Sequence, residues 1–254
     1  MVELKTPAEI DGLRRAGQVV GQALAAVREQ AAIGVRLREL DEIAAKVVAD
    51  AGAEPLFRGY HPEWAPTPFP GVICASVNDA VVHGIPGDQR LADGDLVSID
   101  CGARLDGWCG DAAISFIVGT PDPADQALIE ATERALAAGV AAATAGARLS
   151  DISHAIGRSA QQSGYRGLAD HGGHGIGRTM HEAPYVANDG PPGRGMRLSA
   201  GLVLALEPML TRGGRRYRHD PDGWTVRTAD GTRAAHAEHT VAVTESGPEL
   251  LTVP

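Results

Sequence analysis

Four carboxylic acids and one imidazole stand in short segments of the kind that hold a metal ion. They are Asp100 in LVSIDCG, Asp111 in GWCGDAAISF, His174 in GHGIG, Glu207 in LALEPML and Glu238 in AEHTVAV. Carboxylate oxygen and imidazole nitrogen are the donors used by catalytic divalent cations. Four carboxylates carry four negative charges, which two divalent cations would neutralise. Gathered without cations, the same groups would repel one another and their pKa values would move strongly. The charge balance therefore predicts a site for two divalent ions.

Each residue also has a plainer reading. Asp100 and Asp111 lie 11 residues apart, an odd spacing that one continuous strand would send to opposite faces. Asp106-Gly107 between them reads as a hairpin turn, which instead places them on adjacent antiparallel strands. A single strand-end aspartate is commonly satisfied by backbone amides; two flanking one turn fit that reading less well. Glu207 follows the apolar run LVLAL, so it lies at a strand end near a site or pairs with Arg212, Arg215 or Arg216. Glu238 and His239 are consecutive in strand material and must face opposite ways; Glu238 is assigned to the cluster. The segment from His171 to Pro184 sets His171, His174 and His181 among four glycines, which allow close backbone approach. By itself it reads as a loop with solvated histidines, and His171 is expected to be one. His83 in SVNDAVVHGIP is a proton shuttle or a core histidine. Tyr60, Trp64 and Trp224 fall outside the helical stripes and belong to a pocket or to the core.

The elements that must position these residues come in two similar runs. Thr6-Pro7-Ala8-Glu9 is a capping box with proline at the first helical position, and Ile10, Leu13, Val20 and Leu24 continue a helical stripe. Gly34 breaks it, and a second helix is predicted from about Leu37 to Asp50. From Asp122-Pro123 the pattern recurs: a stripe through Leu128, Ala131, Ala135, Leu136 and Val140, a break at Gly146, and a helix from about Ser150 to Gln162. Gly34 to Gly146 and Gly52 to Gly164 are both 112 residues apart, and Arg36-Leu37 falls on Arg148-Leu149 at that offset. Strand-like segments follow each pair, at 71–77, 95–101 and 107–118, then at 201–209, 224–228 and 237–243. The pattern predicts a duplicated α/β unit spanning about 7–120 and 123–250. The strands would curve together with helices outside, and the cleft between the halves is the expected site.

The chain has 254 residues, 44% of them hydrophobic, enough for one large domain or two small ones with a substantial core. A net charge of −9 leaves no basic footprint for nucleic acid. Cys74, Cys101 and Cys109 form no C-x-x-C pair, and an odd number suggests reduced thiols in a cytoplasm. The charged N-terminal stretch lacks an apolar signal core. No run approaches the roughly 20 apolar residues of a membrane span.

The segments SVNDAVVHGIP, LVSIDCGARLDGWCGDAAISF, GHGIGRTMHEAPYV, LALEPML, DGWTV and AEHTVAV, in this order, resemble the motifs of the type I methionine aminopeptidases. The resemblance covers essentially the whole chain, 1–254, as a single catalytic metallopeptidase domain. It implies the pita-bread fold, a pseudo-twofold α/β arrangement with a duplicated antiparallel sheet and helices outside. It further implies that Asp100 binds one metal, that Asp111 and Glu238 bridge two, and that His174 and Glu207 complete the other. Glu207 would also be general base, His83 would meet the substrate near its amino end, and His181 would donate to the scissile carbonyl. Tyr60, Cys74, His83, Met180, His181 and Trp224 would contact substrate. The implied cofactors are two divalent ions drawn from cobalt, manganese, iron or zinc. The implied substrates are N-terminal peptides of nascent proteins, near the ribosome, with a small second residue preferred. A cytoplasmic monomer that binds no nucleic acid directly and no membrane is expected.

Three features depart from the family pattern. The stretch from His61 to Cys74 is several residues longer, Met180 stands where bacterial members usually have phenylalanine, and His236 stands where glutamine is frequent. X-Pro aminopeptidases and prolidases share the fold and similar ligands but usually carry an additional N-terminal domain, for which there is no room before Asp100. A binding protein that had lost catalysis would typically have lost ligands, and all five are present.

Overall fold

Thr6 starts the first helix as its sequence predicts. Its hydroxyl accepts from the amide of Glu9, and the Glu9 carboxylate accepts in return from the amide of Thr6. In this computed structural model, which describes residues 2–254, α1 (Pro7–Gln30) and α2 (Leu37–Asp50) precede β1 (Glu54–Pro55), β2 (Ile73–Val77), β3 (Ala80–Val82), β4 (Leu96–Leu105) and β5 (Trp108–Ile117). Then α3 (Pro123–Ala142) and α4 (Leu149–Gln162) precede β6 (Arg166–Gly167), β7 (Gly172–Gly175), β8 (Glu182–Ala187), β9 (Val203–Leu206) and β10 (Met209–Thr211). The chain ends with β11 (Tyr217–His219), β12 (Val226–Thr228), β13 (Ala234–His236), β14 (His239–Thr244) and β15 (Gly247–Leu250).

Two larger antiparallel sheets carry the fold. In the first, β4 pairs with β5 along one edge and with β1 and β2 along the other. The second has the order β15-β14-β9-β7-β8. Three-stranded sheets β13-β10-β6 and β11-β12-β3 complete the structure. Helices α1 and α2 bury Val20, Leu24, Leu40 and Val48 against Ile73, Val97 and Ile99 of the first sheet. Helices α3 and α4 bury Leu128, Leu136, Ile152 and Ile156 among Leu204, Leu206 and Val241 of the second. Each such side chain contributes about 1.5–3 kcal/mol when fully buried. β4 is buried along most of its length: Val97, Ile99, Cys101 and Ala103 pack under the helices, while the opposite face, with Ser98 and Asp100, turns toward the second half.

The two runs of the sequence adopt matching local geometry. α1 ends at Gln30 and α3 at Ala142, each four residues before the glycine expected to break it. Gly34 and Gly146 then take φ of 88° and 89°, and their amides donate to the carbonyls of Leu91 and Leu198. Arg90 and Arg197 return side-chain hydrogen bonds to the carbonyls of those glycines. At the next helix start, Glu39 and Asp151 cap the amides of Arg36 and Arg148. The strands are shorter than the predicted segments in the second half, where 201–209 divides into β9 and β10 around Glu207-Pro208. Among the described residues, no helix is long and apolar enough to cross a membrane.

Candidate metal centre and cleft

The turn at Asp106-Gly107 has both φ angles positive, 52° and 79°, and it sets Leu105 opposite Trp108. The register then places Asp111 opposite Gly102 and Asp100 opposite Ala113. Positions 100 and 102 share a face of β4, so Asp100 and Asp111 point the same way. Asp111 is tied to the second sheet by Thr240, whose hydroxyl accepts from the Asp111 amide at 3.0 Å and donates to its carbonyl at 2.8 Å. A backbone bridge between Ala113 and Glu238 joins the two halves there, with the Glu238 amide donating to the Ala113 carbonyl at 2.9 Å.

His174 lies on β7, opposite Ala205 of β9. The GHG segment is a central strand and not the expected flexible loop. Its glycines explain the difference: a Cβ at Gly173 would run into the carbonyl of Ala205. The Nδ1 of His174 faces the Gly175 carbonyl at 2.9 Å. A carbonyl can only accept, so Nδ1 carries the proton and Nε2 is left as a lone-pair donor. Nε2 stands 3.6 Å from Glu207 Oε1. Glu207 follows β9 directly, and Glu238 precedes β14; since Leu206 pairs with His239, the two glutamates continue one register. None of the three arginines pairs with Glu207: Arg212 pairs with Asp125 and Asp122 and Arg215 with Asp189, while Glu207 faces His174 and His236.

Two donor sets overlap at Glu238. Asp111, His174 and Glu238 form one, and Asp100, His236 and Glu238 the other, with ligand-capable atoms within 4.8 Å of one another in each. Of the five residues in these sets, the sequence pointed to four, Asp100, Asp111, His174 and Glu238, and left out His236. Glu207, also expected as a ligand, belongs to neither set and lies 3.6 Å from His174 Nε2 and 3.9 Å from His236 Nε2. Alternation carries the signal, since positions 236 and 238 share a parity. His239 turns away and bonds Thr252 Oγ1 at 2.8 Å through Nδ1.

Asp100 Oδ1, Asp111 Oδ1, Glu238 Oε1 and His236 Nε2 are all buried without a hydrogen-bond partner. One such atom ordinarily costs about 1–3 kcal/mol, and four at one point mean that another kind of partner satisfies them. Burial pushes the Asp100 carboxyl up to about 7. Burial, reinforced by repulsion from the other carboxylates, pushes Asp111, Glu207 and Glu238 well above the usual range. Burial holds His174 down to about 4 and His236 to about 3. Oxygen and nitrogen donors, raised carboxyl pKa values and neutral imidazoles all fit divalent cations.

A cavity of about 460 Å³ opens beside the cluster. Its inner wall is made by Phe57, Phe69, Cys74, Met180 and Trp224, none more than 7% exposed. Phe57 and Phe69 were not singled out from sequence. The Tyr60 hydroxyl lies 3.2 Å from His181 Nδ1, and the rings of His181 and His174 are 4.4 Å apart. His83 lines the same cavity with a left-handed backbone, φ 59°, and burial lowers its imidazole to about 4. Burial, and then Asp100 and Asp111, push the Cys74 thiol up, so it is no thiolate nucleophile. His171, expected in solvent, also lines the cavity; it stacks edge-on to Tyr217 at 4.8 Å and bonds the Ala169 carbonyl.

Residues 11–245 match the metallopeptidase family M24, and the chain is a hydrolase of that class with the pita-bread fold. It is 53% identical to methionine aminopeptidase 1 of Mycobacterium tuberculosis over all of this chain and 96% of that one. The crystal structure of methionine aminopeptidase from Thermotoga maritima superposes with a TM-score of 0.96 at 38% identity, covering 100% of both chains. Within M24, the chain belongs to the methionine aminopeptidases. The prolidase of Pyrococcus furiosus shares the fold, with a TM-score of 0.76 at 24% identity, but this chain covers only 65% of it. Divalent metal use follows from the family and from the carboxylate and histidine cluster.

Proposed function

We propose that this protein removes the N-terminal methionine from nascent proteins, preferably when the second residue is small, with two divalent ions held by Asp100, Asp111, His174, Glu207 and Glu238. The observation that carries this reading is the sharing of Glu238 by two donor sets directly beside a buried pocket containing Cys74 and Met180. Asp111 and Glu238 would serve both ions, Asp100 one of them, and His174 with Glu207 the other. When bound, the ions lower the pKa of a shared water and counter the charge that develops on the carbonyl oxygen.

The chain's own groups do the rest. Glu207 takes the proton of the attacking water. Tyr60 donates to Nδ1 of His181, which leaves the proton on Nε2 for the carbonyl oxygen of the first peptide bond. His83 meets the peptide near its amino end. The inner wall of aromatic rings and sulfur receives an unbranched thioether. Cobalt, manganese, iron and zinc all suit these donors. Residues 1–254 act as one catalytic unit, a cytoplasmic monomer working on peptides near the ribosome without binding nucleic acid or membrane.

The test is hydrolysis of Met-Ala, Met-Leu, Ala-Pro and Leu-Ala peptides with each metal in turn. Met-Ala is expected to be cleaved fastest and Met-Leu slowly. Faster cleavage of Ala-Pro than of Met-Ala at equal concentration would overturn the methionine reading.

A further inference from the structure

The wall of the cleft grades from buried to exposed. Among the described residues, five large hydrophobic side chains stand well out in solvent, and two of them, Trp64 at 56% and Tyr185 at 57%, line the cavity beside the carboxylates. Single exposed aromatics need no explanation. These two come from different halves of the chain and line one cavity.

Trp64 is not a loose side chain. Its ring stacks on His83 at 6.2 Å and meets Trp224 edge-on at 5.0 Å. The segment that carries it contains Pro62, Pro66, Pro68 and Pro70, each of which fixes φ. The segment is also tied down at both ends. Trp224 Nε1 donates to the Thr67 carbonyl at 2.9 Å, the Phe69 amide to the Tyr60 carbonyl at 2.8 Å, and the Ala65 amide to the Pro62 carbonyl at 3.0 Å. Tyr185 is held on β8 opposite His174, with its hydroxyl over Gly172. Both rings are therefore positioned before any ligand arrives, and a preorganised surface loses little entropy on binding.

We propose that Trp64 and Tyr185 form an aromatic rim that grips the peptide beyond its first residue. The inference rests on the peptidase reading above. In that reading the first side chain fills the buried inner wall, and the amine and first carbonyl lie at the carboxylates. The second and third residues must then pass out through the mouth, at about 3.3–3.6 Å per extended residue. Aromatic faces there recognise backbone and apolar side chains with little sequence selectivity, so the rim rewards chain length and apolar character after the second residue.

The experiment compares kcat and KM for Met-Ala and for Met-Ala-Leu-Leu in the metal-loaded wild type and in Trp64→Ala, Trp64→Phe and Tyr185→Ala. The wild type is expected to favour the tetrapeptide. In Trp64→Ala and Tyr185→Ala, the ratio of tetrapeptide to dipeptide kcat/KM should fall about 3- to 10-fold. The fall should lie chiefly in KM, and Trp64→Phe should retain most of the preference. A ratio that does not move, or equal losses on both peptides in both alanine variants, would overturn the rim. If the wild type cleaves neither peptide, the methionine reading itself has failed.

Discussion

Asp111 and His181 share a cleft but differ in what they hold. Asp111 is 4% exposed, its Oδ1 has no hydrogen-bond partner, and its backbone is fixed through Thr240. Asp111→Asn keeps that shape and removes one negative charge from the shared position. Metal content, measured by elemental analysis after dialysis, is expected to drop and hydrolysis to fall nearly to zero, with the circular dichroism spectrum unchanged. His181 is tied to Tyr60 and lies beside the donor sets without belonging to either. His181→Ala is expected to keep its metal while kcat falls about 10²–10³-fold, the size of a lost oxyanion donor. The pair of roles fails if the asparagine variant turns over normally with full metal, or if the alanine variant loses metal along with activity.

At the level of elements, the two halves can be tested against each other. Gly34 and Gly146 have nearly equal positive φ and open space where a Cβ would sit. Alanine at either position meets no neighbour, so the cost is the left-handed backbone alone, about 1–2 kcal/mol. Chemical denaturation should report similar losses for Gly34→Ala and Gly146→Ala. A loss at one site only would show that the two helix connections differ energetically despite their matching hydrogen bonds. These connections were legible in the sequence because glycine, arginine and leucine recur at one spacing. The hairpin between Asp100 and Asp111 was legible because Asp-Gly encodes its own turn. β7 was not, because three of its four residues are glycine and its hydrogen bonds come from β8 and β9, which lie later in the chain. β1 and β6 are two-residue strands formed by pairing with Arg104-Ala103 and Thr211-Leu210, so no local pattern announces them. Phe57 and Phe69 escaped notice for a similar reason: the segment after β1 folds back over the cleft through tertiary contacts with Trp224.

For the molecule as a whole, the buried carboxylates link folding, metal and pH. An unfolded chain ionises its carboxyls above about pH 4. In the metal-free fold Asp100 titrates at about 7, and Asp111, Glu207 and Glu238 are pushed well above their usual range. The folded state thus binds more protons than the unfolded one, and stability falls as pH rises through the folded values. The buried histidines act with the opposite sign. His83 and His174 are held down to about 4 and His236 to about 3, so their contribution is present above the unfolded value near 6.5 and is lost as pH falls. Between pH 4 and 6.5 the two sets oppose each other. From about pH 7 upward the histidines are neutral in both states and the raised carboxyls give the slope. The buried thiols of Cys74, Cys101 and Cys109, also pushed up by burial, add to it with the same sign toward pH 9. Chelator-treated protein should therefore melt at progressively lower temperature from pH 7 to pH 9. Cations replace those protons, so the loaded protein should show a much flatter profile. Calorimetric titration with manganese at pH 7.5, in buffers of different ionisation heat, should register net proton release. A chelated protein whose melting temperature is constant from pH 7 to 9, with no proton release on loading, would mean that the four carboxyls are already ionised in the empty fold. The raised pKa values would then give no account of how the cluster waits for its metal.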